Sequence, residues 1–94
     1  MKRPEVLNSD EIQNFLNRFH DWKIREHQLE KEFIFQSYME GLEFVNKVAK
    51  IAESLDHHPD ISLGYKKVKV KTSTHEPKGF TTLDFDLIRS IEEM

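Results

Sequence analysis

Three of the five histidines of this 94-residue chain lie where two predicted elements end. His57 and His58 are adjacent and follow a long predicted helix, whereas His75 follows a long predicted strand. Glu53 precedes His57 by one helical turn, and Asp84 falls in the first turn of the last predicted helix. Loops at the ends of rigid elements often carry functional side chains. If the strand before His75 lies beside the loop after the long helix, all five groups converge.

A cluster of histidines and carboxylates is suited to acid–base chemistry. Because histidine titrates near neutral pH, one neutral ring can accept a proton while a protonated ring donates one. This combination suits a reaction in which one proton is added and another is removed. Dehydration is such a reaction, because the leaving hydroxyl needs a general acid and a neighbouring group must lose a proton.

Plainer interpretations of the same residues stay open at this point. A histidine pair in an exposed loop is often only solvated, and His20 and His27 fit that description well. Glu53 would then be a surface residue, and Asp84 would only complement a helix dipole. Three histidines and a carboxylate would also suit zinc. Adjacent histidines rarely aim at one ion, however, and no helix carries the histidine spacing of known zinc motifs, so we expect no metal.

Composition excludes several classes of function. The 14 basic and 17 acidic residues leave a formal net charge of −3, which argues against direct nucleic-acid binding through bulk electrostatics. The chain has no cysteine, which excludes disulfides and thiolate metal sites. No apolar run is long enough to cross a bilayer, and no apolar segment follows the first residues. We therefore expect a cytoplasmic protein without a membrane partner.

The hydrophobic pattern predicts one domain over residues 1–94, with residues 1–7 as a loose arm. Helices are predicted after Asn8, over about 38–55 and after Thr81 or Thr82, and strands over about 22–26, 29–35, 61–63 and 68–74, with a loop over 75–79. The order α-β-β-α-β-β-α indicates an α+β layer, an antiparallel sheet with the helices on one face. Lys67, Lys69 and Lys71 are expected either on a solvated sheet face or as protection of an edge strand.

The chain resembles the pterin-4a-carbinolamine dehydratases at fixed positions. The matching signature is Glu53, three residues, His57-His58-Pro59, five residues, Tyr65, nine residues, His75, eight residues and Asp84. The family pattern extends over roughly residues 7–93 and includes Trp22, Phe33, Phe35, Phe44 and Val48-Ala49. The resemblance implies a four-stranded antiparallel sheet with three helices on one side. It also implies the conversion of 4a-hydroxytetrahydropterin to quinonoid dihydropterin and water.

The same resemblance implies roles for individual residues. His57 and His75 would form the acid–base pair, and His58, also in the catalytic set, would position the pterin. Glu53 would orient a histidine and raise its basicity, and Asp84 would do the same for His75. The substrate-binding positions implied are Asp56, His58, Ser73, Thr74 and Asp84. The resemblance implies no metal ion and no organic cofactor.

Two segments depart from the family pattern. Lys78-Gly79-Phe80 stands where the family often has two glycines and a leucine. Thr72 replaces a usual aliphatic residue on the strand, next to an unusual Lys71. These changes affect the packing of the strand and the loop over the cleft, so we expect them to alter substrate affinity more than chemistry.

The resemblance also implies partners and leaves alternatives. Family members form homodimers or homotetramers, and an aromatic amino acid hydroxylase produces their substrate. Some members serve as dimerisation or assembly cofactors, so a protein-interaction module is one alternative. A role in molybdenum-cofactor metabolism is another. The complete set of active-site histidines favours catalysis.

Overall fold

Three helices and a four-stranded antiparallel sheet form the core of residues 4–94, the part of the chain that the computed structural model describes. In chain order the elements are α1 (Ser9–Arg18), β1 (Lys23–Arg25), β2 (Gln28–Ile34), α2 (Tyr38–Leu55), β3 (Asp60–Leu63), β4 (Lys67–Thr72), β5 (Thr74–His75), β6 (Lys78–Gly79) and α3 (Thr82–Glu92). The expected α+β layer and its order are confirmed. No helix in residues 4–94 is long and apolar enough to span a membrane.

The strand order of the main sheet brings several chain segments to one end. The order is β1-β2-β4-β3, with antiparallel pairing throughout. Thr72, the last residue of β4, lies opposite Leu29, and the preceding Lys71 lies opposite Asp60. The end of β4 therefore lies beside the beginnings of β2 and β3. The loop that carries His57 and His58 enters β3 at this same end.

One face of β4 is buried against the helices, and the opposite face is charged. Val68, Val70 and Thr72 are all buried, as the alternation of a strand requires. The core continues with side chains from the other elements, namely Phe15, Trp22, Leu29, Val48, Ala52, Phe80, Phe85, Leu87, Ile88 and Ile91. Each fully buried aliphatic side chain in such a core contributes roughly 1.5–3 kcal/mol.

The lysines of β4 lie opposite acidic residues of the neighbouring strand. Lys71 pairs in register with Glu30, and Lys69 pairs with Glu32. Opposite charges at directly facing positions contribute roughly 0.2–1 kcal/mol each. The lysine stripe is therefore part of a charge-balanced sheet face on which Lys67 is exposed and Lys69 and Lys71 are half-buried. The alternative prediction of edge-strand protection is wrong, because β4 lies between β2 and β3.

The strand predicted to run through Thr74 stops earlier, at Thr72. Its partner strand β2 begins at Gln28, after a turn in which Glu26 and His27 both have positive φ angles. Beyond Thr72 the chain therefore has no ladder partner in the main sheet, and β5 pairs instead with β6. The predicted loop over 75–79 is thus a short antiparallel ribbon.

The N-terminal segment contacts this ribbon. The loose arm predicted for residues 1–7 lies partly outside the described residues. In its described part, the Leu7 N–H donates to the Phe80 carbonyl at 2.8 Å. Gly79 has a φ of +141°, and a Cβ there would approach Val6 to 2.9 Å. Glycine is therefore favoured at position 79 for two reasons: it adopts this positive φ without strain, and it leaves room for the close approach of Val6.

Candidate active site

Asp56 turns the chain at the end of α2. It is the C-cap residue and adopts the left-handed conformation, with φ 51° and ψ 42°. The His57 N–H then donates to the Ala52 carbonyl at 3.1 Å, which closes the helix end. Apart from glycine, aspartate is one of the few residues that adopt this backbone conformation readily. The turn releases His57 and His58 into the loop that precedes β3.

His57 is paired with a buried carboxylate from a distant element. Its Nε2 lies 2.7 Å from Oδ1 of Asp84, which is 0% exposed, while the His57 side chain is 11% exposed. Because a carboxylate oxygen accepts, Nε2 carries the hydrogen in this contact. The pairing therefore leaves Nδ1 of the neutral ring as the nitrogen that can exchange a proton with another group.

Threonine groups complete the surroundings of Asp84. Oδ1 also accepts from the Thr72 hydroxyl at 2.7 Å, and Oδ2 accepts from the Thr74 hydroxyl at 2.8 Å. The Thr81 backbone N–H donates to Oδ2 at 3.0 Å, as part of the capping box at the start of α3. With His57, these make four donors for two oxygens. A fully buried carboxylate is tolerated because its acceptor sites are occupied in this way.

His58 forms a second pair, which faces solvent. Its Nε2 contacts Oε2 of Glu53 in the last turn of α2. The His58 side chain is 56% exposed and that of Glu53 is 75% exposed. The two adjacent histidines therefore turn to different carboxylates in different environments. The histidine that Glu53 contacts is His58.

His75 lies on β5, in the wall of a cleft of about 450 Å³. The cleft lies between the ribbon segment and the β1–β2 turn, and its lining is Ile24, Glu26, His27, Gln28, Ser73, Thr74, His75, Lys78, Gly79 and Phe80. Gln28 also donates to Oδ2 of Asp60 at 3.2 Å, which connects the cleft wall to the start of β3. His27, expected only as a solvated residue, thus faces the same cleft as His75.

The predicted site residues gather at one end of the sheet but do not form one cluster. Within residues 4–94, Asp84 has no hydrogen bond to His75, and its oxygens are occupied by His57 and the threonine segment. The expectation that Asp84 orients His75 is therefore wrong. The register of the sheet explains this, because Thr72 at the end of β4 lies on the buried face, next to Asp84.

Sequence reasoning did not identify Thr72 or Thr81 as members of the site. One available signal was the alternation on β4, which puts Thr72 on the same buried face as Val68 and Val70. A buried hydroxyl needs a hydrogen-bond partner, so this position pointed to a polar group nearby. No set of three histidine or carboxylate groups in the described residues is arranged to hold a metal ion.

The sequence and the fold can be compared with those of known proteins. A family model described as pterin 4 alpha carbinolamine dehydratase matches residues 5–94. The chain belongs to this pterin 4 alpha carbinolamine dehydratase family.

Relatives from distant organisms share most of their length with this chain. A protein of Sulfurisphaera tokodaii, provisionally named a pterin-4-alpha-carbinolamine dehydratase, is 40% identical over 88 residues, or 94% of this chain and 95% of its own. A protein of Picosynechococcus sp. with the same provisional name is 39% identical over 88 residues, or 94% and 96% of the two chains. The similarity is thus to whole proteins rather than to one segment.

Two solved structures share the fold. The transcriptional coactivator/pterin dehydratase of Brucella melitensis superimposes with a TM-score of 0.88 at 27% identity, over 95% of this chain and 97% of that chain. A pterin dehydratase-like protein identified as a RuBisCO assembly factor in the alpha-carboxysome gives a TM-score of 0.62 at 19% identity, over 77% and 83%. At that identity the second similarity concerns the fold alone.

Proposed function

We propose that this protein dehydrates 4a-hydroxytetrahydropterin to quinonoid dihydropterin by metal-free histidine acid–base catalysis. The observation that carries the proposal is the pairing of His57 with the buried Asp84 at 2.7 Å. A histidine held in one tautomer by a buried carboxylate is well suited to general acid–base catalysis, because the free ring nitrogen is defined. Membership of the family supplies the substrate class.

In the proposed reaction, His57 and His75 exchange one proton each with the substrate. One ring, in its protonated form, donates a proton to the 4a-hydroxyl, the C–O bond breaks and water leaves. The other ring accepts the proton of the adjacent ring nitrogen, and the electron pair of that N–H bond forms the new C=N bond. His57 takes part through Nδ1, because its Nε2–H is held by Asp84.

The cleft beside His75 is suited to a planar heterocycle. Its volume of about 450 Å³ falls in the range of small-molecule sites. Phe80 and Ile24 provide apolar surface at its wall, and Ser73 provides a hydroxyl, whereas the hydroxyl of Thr74 is donated to Asp84. We assign substrate contacts to Ser73, Thr74, His58 and Asp56. Because Asp84 is completely buried, we assign it a positioning role through His57 instead of a substrate contact.

A dehydratase assay with synthetic carbinolamine tests the proposal directly. The wild-type protein is expected to accelerate the loss of water above the spontaneous rate, and to do so after extensive chelation. A rate equal to the spontaneous one would contradict the proposal. Activity that disappears on chelation and returns with added zinc would replace the mechanism with a metal-dependent one.

We also propose that the protein acts as a homodimer or homotetramer. Within residues 4–94, β3 pairs only with β4, so one edge of the main sheet has unpaired backbone groups. Such edges are usually covered, and small domains gain stability from assembly. Light scattering at micromolar concentration should therefore give at least twice the 11.2 kDa of one chain. A fully active monomer would contradict this.

An aromatic amino acid hydroxylase is the proposed source of the substrate.

A protein-interaction role is the second candidate. Ile34, Tyr38, Met39 and Tyr65 are large apolar residues with exposed side chains at the end of the sheet opposite the histidines. The solved structures with this fold include a transcriptional coactivator/pterin dehydratase and a pterin dehydratase-like RuBisCO assembly factor. The His57→Ala variant separates the two functions, because an interaction role would survive this substitution and catalysis would not.

A further inference from the structure

Thr72 lies at the point where the strand, the last helix and the loop after α2 meet. It is 1% exposed and shares the buried face of β4 with Val68 and Val70, which are completely buried. Its hydroxyl is the polar group on this face of the strand. An aliphatic side chain of similar size would fit the apolar part of this environment, so the hydroxyl calls for a separate explanation.

The Thr72 hydroxyl contacts both members of the buried pair. It donates its only proton to Oδ1 of Asp84 at 2.7 Å. Its oxygen also lies 3.3 Å from Nε2 of His57. Because its proton is used on Asp84, the hydroxyl presents only lone pairs to His57. It can therefore act only as an acceptor toward the ring, which again requires the hydrogen to be on Nε2.

The two oxygens of Asp84 serve different parts of the molecule. Oδ2 accepts from the Thr74 hydroxyl and from the Thr81 N–H, and so holds the ribbon and the start of α3. Oδ1 accepts from Thr72 and His57. Thr72 is thus the side chain that fixes the oxygen to which the histidine is bound.

We propose that Thr72 is a positioning residue that holds His57 in the Nε2–H tautomer, so that Nδ1 is the reacting nitrogen. Its catalytic consequence rests on the proposed dehydration, but its effect on the His57 ring does not. Because Thr72 is buried beneath the pair, it acts on the ring without touching substrate. Loss of the hydroxyl removes a charge-assisted bond from Oδ1 and an acceptor from the Nε2–H.

The test compares Thr72→Val with Thr72→Ser and with a matched control on the same strand. Thr72→Val removes the hydroxyl at nearly constant volume, and Thr72→Ser keeps it. Val70→Thr adds an unpaired hydroxyl to the same buried face and lowers stability without contacting His57. Proteins labelled with ¹⁵N-histidine report the tautomer through the ring nitrogen shifts, and His57→Ala assigns the His57 signals.

In the wild type and in Thr72→Ser we expect the Nε2–H tautomer at His57, with a ring proton that exchanges slowly. Thr72→Val leaves the Asp84 contact but weakens the hold on the ring, so the ¹⁵N signals of His57 should shift, its Nε2 proton should exchange faster, and kcat should fall about 10- to 100-fold with KM nearly unchanged. Val70→Thr should leave the His57 spectrum and kcat as in the wild type. Thr72→Ser should have both the His57 spectrum and the kcat of the wild type.

Two results would overturn the proposal. One is a Thr72→Val protein with the wild-type His57 spectrum. The other is an equal change in Val70→Thr, which would show that lost stability alone moves the ring. If the wild type has no dehydratase activity, the proposed function fails while the ¹⁵N spectra still decide the role of Thr72.

Discussion

Two adjacent histidines form two histidine–carboxylate pairs of opposite character. His57 and Asp84 meet in the interior, whereas His58 and Glu53 meet in solvent. An exposed ion pair is screened by water and contributes roughly 0.2–1 kcal/mol. A buried pair cannot exchange its partner for water, so it fixes the orientation and the tautomer of the ring. Burial, more than residue type, therefore distinguishes the pair for which we propose a catalytic role from the pair for which we propose a binding role.

The largest effect is expected from removing a catalytic histidine. His57→Ala and His75→Ala should each lower kcat about 10²- to 10⁴-fold, the range for loss of general acid–base catalysis. His57→Ala should also lose stability, because the buried Asp84 carboxylate loses one of its donors, whereas His75→Ala should not. Circular dichroism and urea unfolding establish that each variant is folded under the assay conditions. His20→Ala is the control, because His20 is exposed and lies near Asp21, away from the cleft. Near wild-type turnover in a folded His57→Ala protein would remove the buried pair from the mechanism.

Asp84→Ala should affect both stability and activity. Four donors would lose their acceptor, and breaking a buried pair by removing one partner costs about 3–5 kcal/mol in unfolding free energy. Activity should fall as well, because His57 loses its partner. Asp86→Ala on the same helix removes an exposed carboxylate near Arg89, and urea unfolding should show little change. Equal losses in the two variants would contradict the contrast between buried and exposed pairs.

A smaller effect is expected at the exposed pair. His58→Ala should raise KM about tenfold and lower kcat less, because we assign it to substrate positioning. Glu53→Gln should change KM only a few-fold, and added salt should reduce the difference from the wild type. Steady-state kinetics at two salt concentrations measure both, with Glu43→Gln on the same helix as control. If His58→Ala lowers kcat more than His57→Ala does, the roles assigned to the two histidines must be reversed.

The smallest effect concerns the turn that separates the two pairs. Asp56→Gly should leave thermal stability nearly unchanged, because glycine accepts the left-handed conformation. Asp56→Val should lower the free energy of unfolding by about 1–2 kcal/mol, because a branched side chain is strained in the left-handed conformation. Thermal unfolding compares the two. Because we assign the Asp56 carboxylate a substrate contact, Asp56→Gly should also have a raised KM, and an unchanged KM would contradict that assignment.

Local patterns predicted the helices, the strands and the end of the sheet at which the histidines lie. Where prediction failed, the cause was a partner far away in the chain. The strand through Thr74 looked continuous by alternation, but its ladder stops where β2 begins. Asp84 was matched with His75, nine positions earlier, whereas its partner His57 is 27 positions away.

The kinds of chemistry available to this protein follow from its residues alone. Histidines next to a helix end, a carboxylate one turn earlier and a helix cap at Thr81 are local features, because propensity and periodicity act within a few residues. Which carboxylate meets which histidine depends on strand register and on the packing of α3, both set by contacts between distant segments. For this reason the threonine-supported bond between His57 and Asp84 emerged only from the folded chain.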